Sequence, residues 1–226
     1  MSPRPRKEEQ QNLPEEIKET AWQQIAESGA ASLSLRAIAR ALNITAPAIY
    51  NYYLDRDALV TALIVDAYNS LAEAQEAGRG TSLAKNLPEQ LSALGLAYRQ
   101  WAIAHPQRYQ LIFGTPIPNY HAPDDVTLPA AQRSLMPLIE TLQALWIAGQ
   151  LRVERLAPCG PGLESGLKAW SQGAGGIHPE VLYLALVIWS RVHGLVMLEI
   201  GNHIPPMLNP AEIFEREINF LLVQYL

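Results

Sequence analysis

Cysteine is almost absent from this chain of 226 residues, in which Cys159 is the only one. A single cysteine excludes an intramolecular disulfide and is typical of a protein from a reducing compartment. Charge is also sparse, because Asp, Glu, Lys and Arg make up 17% of the residues and give a net charge of −5. The chain therefore lacks the overall positive charge that would by itself indicate a nucleic-acid partner.

The sequence also lacks the patterns of secreted, membrane-spanning and catalytic proteins. The N-terminal residues MSPRPRKEEQQ contain no apolar segment, so we expect no signal peptide. One apolar segment, Val181 to Ile200, carries Arg191 and His193 at its middle. Charge there is unfavourable in lipid, so we expect a buried helix and no membrane partner. No nucleophile motif, phosphate-binding loop or paired carboxylates indicate an enzyme.

Metal and cofactor sites are not indicated either. The histidines at positions 105, 121, 178, 193 and 203 show no metal-ligand spacing, and Cys159 has no neighbouring partner. We therefore expect no metal, no cofactor and no catalytic residue, in a cytoplasmic protein.

The sequence does contain helical periodicity, and no convincing strand pattern. Residues 1–12 are mixed in charge and predict a flexible arm. A first helix is expected to begin at Pro14, since proline fits a first helical turn. Apolar residues recur at four-residue spacing as far as Ile25, and Gly29 predicts the end of the helix.

Two short helices and a long one are predicted next. Ser34 is expected to cap the second helix, and Thr45 to cap the third, with Pro47 in its first turn. Asp55 is expected to cap a fourth helix that extends to about Ala77. Two short helices that are joined by a tight turn and braced by another helix predict a helix-turn-helix unit, whose second helix can enter the major groove of DNA.

The second helix of this unit, which is the third helix of the chain, contains the segment TAPAIYNYY. This segment places three tyrosines within four residues. Ile49 and Tyr53 lie four residues apart and are expected to face inward, which leaves Tyr50 and Tyr52 outside. Tyrosine hydroxyls can donate hydrogen bonds to DNA phosphates, and such contacts fix the register of a protein on the duplex. The segment is therefore predicted to be the recognition helix.

The segment SLRAIARALNITAPAIYNYYLDRDALVTALI resembles the DNA-binding domain of the TetR family of transcriptional regulators. The resemblance covers about residues 14–75, and its matching motifs run from Ile49 to Tyr53 and from Arg56 to Leu59. The run RVHGLVMLE at 191–199 is similar to a motif in the C-terminal domains of one subgroup of the family.

Four positions depart from the family pattern. Asn43 replaces the usual turn glycine, but asparagine tolerates a positive φ. Tyr52 replaces the usual histidine and still offers a hydrogen-bond donor, and Arg56 stands where a phosphate-binding lysine is common. Pro47 is less usual at the start of the recognition helix, and we expect it to affect which DNA sequence the protein prefers.

The resemblance implies an all-α protein with an N-terminal three-helix helix-turn-helix domain at 13–77 and a helical ligand-binding and dimerisation domain at 78–226. Residues 1–60 contain seven Lys and Arg against eight Asp and Glu, a net charge of −1. DNA binding must therefore depend on local clusters of positive charge, near the recognition helix and on the arm at Arg4, Arg6 and Lys7. The predicted DNA-binding residues are Ser34, Arg36, Arg40, Thr45, Ala46, Pro47, Ala48, Tyr50, Asn51, Tyr52 and Arg56.

Beyond residue 77 we expect helices and a glycine-rich segment at 157–180 that is irregular apart from a turn around Lys168. The predicted helices are 88–104, 105–113, 128–151, 179–200 and 210–225. Polar residues within these helices, Arg191, His193, Glu199 and Glu140, predict either a mutually satisfied polar network or part of a ligand pocket. The predicted pocket lining is Tyr98, Trp101, Tyr109, Phe113, Trp146, Trp189 and His193.

The predicted function is a ligand-responsive transcriptional regulator, a repressor that a small apolar or aromatic molecule releases from its operator. The resemblance implies a homodimer in which the last two long helices pair with a second copy. Two-fold symmetry then implies a roughly palindromic double-stranded DNA operator. Two alternatives remain open: the same fold without a small-molecule effector, and a helical small-molecule carrier or enzyme with a vestigial helix-turn-helix.

Overall fold

A computed structural model describes residues 7–80 and 86–226 of the chain. Within these ranges the chain forms α-helices, short 3-10 turns and loops without any strand, which confirms the predicted all-α fold class. Arg4 and Arg6 of the predicted arm lie outside the described residues. The helices are α1 (Lys7–Ser28), α2 (Leu35–Ala41), α3 (Ala46–Tyr50), α4 (Arg56–Arg79), α5 (Leu87–Ala104), α6 (Pro106–Phe113), α7 (Asp124–Ile147), α8 (Pro161–Gly173), α9 (Pro179–Ile200) and α10 (Pro210–Tyr225).

α1 begins earlier than predicted, at Lys7, and Pro14 lies inside it. The prediction that residues 7–12 belong to a flexible arm is therefore wrong. Proline within a helix removes one backbone hydrogen bond, but the Glu and Gln residues before Pro14 are good helix formers, so the helix continues through it. Gly29, with a φ of 78°, follows the last residue of the helix, as predicted.

The helices form two compact units. The first unit contains the described residues of Met1–Tyr68 together with His105–Ala131, and the second contains those of Asn69–Ala104 together with Gln132–Leu226. α4 thus supplies residues to both units. This grouping differs from the predicted boundary at residue 77, because α6, the loop after it and the start of α7 pack with the helix-turn-helix.

The core of the first unit is made by fully buried aliphatic side chains from α1 to α4, among them Ile17, Ile38 and Leu63. α6 is held to this core by apolar packing, and its Arg108 places the guanidinium carbon 5.2 Å from the centre of the Trp22 ring. The apolar stripe of α1 predicted from the sequence therefore packs against α6 as well as against the helix-turn-helix.

The second unit contains one helix that the sequence did not predict and one that is displaced. α8 occupies part of the glycine-rich segment predicted to be irregular, because Leu163, Leu167 and Trp170 share one helical face and Leu167 is buried. α7 lies four residues earlier than predicted, at Asp124–Ile147, since acidic residues fill its first turn. α9 and α10 have the predicted bounds.

α9 is apolar and long enough to cross a membrane by length and composition alone, with a mean hydropathy of 1.8. Its polar residues have partners within the second unit, however. Arg191 pairs with Glu217 at 2.5 Å, and His193 Nδ1 lies 2.9 Å from the Tyr98 hydroxyl. These contacts are typical of a core helix in a globular protein.

Candidate nucleic-acid interface

α2 has defined hydrogen bonds at both ends, and a tight turn joins it to α3. The Ser34 hydroxyl accepts a hydrogen bond from the Ala37 N–H and caps α2. At the other end the Ile44 N–H donates to the Ala39 carbonyl at 3.0 Å, and Asn43 adopts a φ of 54°. This is a Schellman arrangement, in which asparagine replaces the more usual glycine. The prediction of a positive φ at Asn43 is confirmed.

α3 is short and is anchored by one side chain. Ile49 is fully buried, with an exposure of 0%, and Tyr53 is half-buried. Tyr50 and Tyr52 are 46% and 41% exposed. The predicted arrangement, with one tyrosine inward and two outward, is therefore confirmed. Thr45 is the N-cap residue of α3, although its side chain makes no capping hydrogen bond.

The predicted DNA-binding residues fall into two groups by exposure. The partly buried ones are Ser34, Ala46, Ala48 and Arg56. The exposed ones are Arg36, Arg40, Thr45, Pro47, Tyr50, Asn51 and Tyr52.

The surface of α3 is neutral, because no charged residue lies between Arg40 and Asp55 in the sequence. Its exposed polar groups are hydroxyls and one amide. Positive charge comes from Arg36 and Arg40, which are exposed on α2. The geometry therefore suits a helix whose hydroxyls and amide donate to DNA, next to arginines that attract the phosphate backbone.

The helix-turn-helix is braced by an ion-pair cluster between α1 and α4. The Lys18 ammonium lies 2.7 Å from Asp66 Oδ2 and 2.9 Å from Glu15 Oε1, and the Lys18 side chain is 15% exposed. Burial raises the pKa of the neighbouring Tyr53 phenol, which therefore remains neutral. These contacts link α1 to α4.

The predicted role of Arg56 in binding phosphate would require a side chain that extends into solvent, but the side chain is turned towards the protein. Its guanidinium donates to the carbonyl oxygens of Ala30 and Ala31, at 3.1 and 3.2 Å, in the 3-10 turn Ala30–Ser32. A third contact, at 3.3 Å, reaches the Asp57 carboxylate. The side chain thus links the first turn of α4 to the connection between α1 and α2.

Family models match both parts of the chain. Residues 17–63 match the model described as bacterial regulatory proteins, tetR family, and residues 91–221 match the model described as tetracyclin repressor-like, C-terminal domain. The chain belongs to the TetR family. Members of this family are transcriptional regulators that bind DNA, and the helix-turn-helix of this TetR-family protein is the part that does so.

Individual relatives agree with this assignment. The HTH-type transcriptional regulator Rv1816 of Mycobacterium tuberculosis is 32% identical over 221 residues, which are 96% of this chain and 94% of the relative. The crystal structure of the regulatory protein SCO4313 is 37% identical, with a TM-score of 0.79 over 97% of this chain and 100% of that one. The TetR-family regulator PfmR from Thermus thermophilus is 14% identical and shares the fold, with a TM-score of 0.60 over 92% and 97% of the two chains.

The residues predicted to line a ligand pocket do not come together around a ligand-sized space. In the second unit, Tyr98 and Trp189 line an apolar void of about 40 Å³, which has room for no more than a few water molecules. Trp101 is buried and donates to the Ser70 hydroxyl at 2.9 Å, and Trp146 stacks on His178 with ring centres 4.1 Å apart. In this TetR-family protein, Tyr98 and Trp101 belong to the core of the second unit, whereas Trp146 and Trp189 are only partly buried.

The four polar residues predicted to form a mutually satisfied network or part of a pocket instead each pair with a residue outside that set. Glu199 accepts two hydrogen bonds from Arg99, at 2.6 and 2.8 Å, and Glu140 pairs with Arg79 at 2.7 Å. Burial lowers the pKa of His193, so its ring is neutral at pH 7 beside the Tyr98 hydroxyl.

The remaining two predicted lining residues, Tyr109 and Phe113, lie in the first unit. Their ring centres are 5.1 Å apart, and Phe113 also meets Tyr68 edge-on at 5.9 Å. A cavity of about 320 Å³ lies in the same unit, and none of the seven predicted lining residues borders it. Sequence analysis missed this cavity, and the only signal for it was the run of proline and glycine after α6. Its lining is Ile64, Tyr68, Leu111, Ile112, Gly114, Thr115, Pro116, Ile117, Tyr120, Ala122, Thr127, Leu128 and Ala131.

Replacing both Tyr50 and Tyr52 with phenylalanine should weaken binding to all DNA sequences about equally. Each lost hydrogen bond is expected to cost about 1 kcal/mol of binding free energy. The effect should be the same for all sequences because a bond to a phosphate carries no sequence information. Protein stability should hardly change, since both rings remain and the hydroxyls that are removed belong to exposed side chains. Fluorescence anisotropy with two unrelated duplexes measures the effect, and unchanged affinity for both would remove these tyrosines from the interface.

Proposed function

We propose that this TetR-family protein is a cytoplasmic, homodimeric repressor that a small neutral molecule releases from a roughly palindromic operator. The observation that carries the effector is the cavity of about 320 Å³, which lies in the same compact unit as the helix-turn-helix. A volume of this size is at the lower end of the range for small-molecule sites, whereas the void of about 40 Å³ in the second unit is far below it.

The lining of the cavity indicates the chemical class of the effector. It is mainly aliphatic and aromatic, and none of its thirteen residues is charged. An ionised ligand would lose its hydration there without a countercharge. The polar groups at its edge are hydroxyls, among them that of Thr127, which donates to the Pro123 carbonyl, and that of Tyr120. A neutral, mostly apolar or aromatic molecule with one or two hydrogen-bonding groups fits this lining.

The position of the cavity supports a link to DNA binding. Ile64 and Tyr68 of α4 form part of its wall, and Ile64 also belongs to the core of the helix-turn-helix. The Tyr120 hydroxyl lies 2.9 Å from the Thr61 hydroxyl of the same helix. A molecule that occupies the cavity therefore contacts α4, whose Ile64 belongs to the same buried core as Ile49 of α3. Thermodynamic linkage requires that DNA weaken ligand binding by the same factor as the ligand weakens DNA binding.

A thermal-shift screen of neutral aromatic and aliphatic compounds tests this proposal. A hit at 100 times its dissociation constant should stabilise the protein by about 2.7 kcal/mol. The Ala131→Phe variant, which fills the cavity, should lose this response and still bind DNA. Ala77→Phe, at an exposed position of α4, is the matched control and should respond like the wild type.

Calorimetry then compares the affinity of a hit for the free protein and for the protein bound to a duplex enriched from random-sequence DNA. Weaker binding to the complex is expected. Equal affinities would indicate the alternative function, a regulator without effector coupling. An unchanged response of Ala131→Phe would place the ligand outside this cavity.

The proposed homodimer rests on apolar side chains that a single chain leaves uncovered. Only 39% of the most apolar window of α9 is buried within the chain. An obligate interface buries a large, mostly apolar area, and α9 and α10 together offer such a surface. The exposed apolar residues on these two helices are Leu186, Met197, Leu198, Phe220 and Val223.

A further inference from the structure

Arg56 occupies the first helical position of α4, and its guanidinium lies against the 3-10 turn Ala30–Ser32. Nη2 lies 3.1 Å from the Ala30 oxygen and 3.2 Å from the Ala31 oxygen, while Nη1 lies 3.3 Å from Asp57 Oδ1. Both terminal nitrogens are therefore directed at acceptors within the protein. The side chain is only 29% exposed, which agrees with this inward orientation.

The Ser32 hydroxyl donates to the Ser28 and Gly29 carbonyls, both at 2.8 Å, and ties this turn to the end of α1, whereas the Arg56 guanidinium ties it to α4. The backbone bond from the Leu33 N–H to the Ala30 oxygen is long, at 3.4 Å. Ser34, the N-cap of α2, follows within two residues of the turn, and its N–H donates to the Gln24 side chain at 3.0 Å. The position of this turn therefore sets where α2 begins, and α2 carries the two exposed arginines next to the recognition helix.

We infer that Arg56 is a positioning residue: it clamps the Ala30 and Ala31 carbonyls, fixes the start of α2 relative to α4, and does not bind DNA phosphate. A phosphate that approached Nη1 would also meet the Asp57 carboxylate, which repels it. The planar guanidinium places Nη2 on both carbonyls while Nη1 reaches the Asp57 carboxylate, whereas an ammonium has a single nitrogen and cannot hold this two-nitrogen geometry. Arginine at this position is thus explained by the geometry of the turn.

Two variants of the full-length protein test the inference, Arg56→Lys and Arg56→Gln. The probes are a duplex that the wild-type protein enriches from random-sequence DNA and a scrambled duplex of the same composition. Each variant should bind the enriched duplex about tenfold more weakly, as expected when a hydrogen bond from a charged group is lost. Affinity for the scrambled duplex, and the slope of log affinity against log salt, should match those of the wild type.

The opposite results would assign Arg56 to the phosphate backbone. Lysine binds phosphate as a point charge, so Arg56→Lys would then keep wild-type affinity for both duplexes. Arg56→Gln would weaken both duplexes equally and reduce the salt slope by about 0.9. Arg40→Gln, which removes an exposed arginine of α2, gives the size of such an effect on the same duplex.

A general loss of folded protein is separated from positioning by stoichiometric titration with the enriched duplex, which gives the active fraction of each variant. The tenfold loss should persist after correction for that fraction, at a temperature well below unfolding. If the loss disappears on correction, or if both variants bind the enriched duplex like the wild type, Arg56 has no positioning role.

Discussion

Replacing Ile49 with alanine should abolish sequence-specific DNA binding while most of the protein remains folded. Ile49 is the one buried residue of α3, with an exposure of 0%, and the helix is only five residues long. A helix this short has no stability of its own in water, so its position depends on tertiary contacts. Truncating a buried isoleucine to alanine costs about 2–5 kcal/mol, and here the loss falls on the element that enters the major groove.

The matched control is Ile147→Ala, because Ile147 is 76% exposed at the end of α7. This control should keep wild-type stability and DNA affinity. Denaturant unfolding and a gel shift with a duplex enriched from random-sequence DNA measure both quantities. Wild-type binding by Ile49→Ala would mean that α3 is held in place by other contacts.

Replacing Val223 with glutamate should convert the proposed dimer into a monomer and weaken operator binding by about 100-fold or more, because a monomer loses the simultaneous contact with two half-sites. Val223 is 75% exposed in the single chain and lies one turn from Phe220, which is 55% exposed. A carboxylate at this position would be buried without a partner in an apolar interface, which is strongly unfavourable. Each monomer should remain folded, since Val223 contributes little to its own core.

Val126→Glu makes the same change at an exposed position of the first unit, where Val126 is 46% exposed on α7. It should remain dimeric and bind DNA like the wild type. Analytical ultracentrifugation at micromolar concentration and fluorescence anisotropy measure assembly and affinity. If Val223→Glu sediments as a dimer with unchanged affinity, α9 and α10 do not form the interface.

Features of the helix-turn-helix that depend on neighbouring residues were predictable. Ser34 and Asp55 are capping residues that bond to N–H groups three positions ahead, and Asn43 accepts the positive φ that ends α2. The alternation between Ile49, buried, and Tyr50, exposed, follows from helical geometry. Prediction failed where the local signal was weak or misleading, as at Pro14 inside α1 and in the glycine-rich segment that contains α8.

The sequence by itself determined the all-α class, the family and the inward and outward faces of α3, because each follows from residues within about one helical turn of one another or from a contiguous motif. Only the tertiary structure decided the role of Arg56, which bonds to a carbonyl 26 residues away, and the site of the cavity, where Tyr68 donates to the Ile112 carbonyl 44 residues away. It also showed that Tyr98, Trp101 and Tyr109, predicted to line a pocket, are buried core residues. Side chains so distant in sequence meet only when whole helices pack, and no local periodicity records which of them will do so.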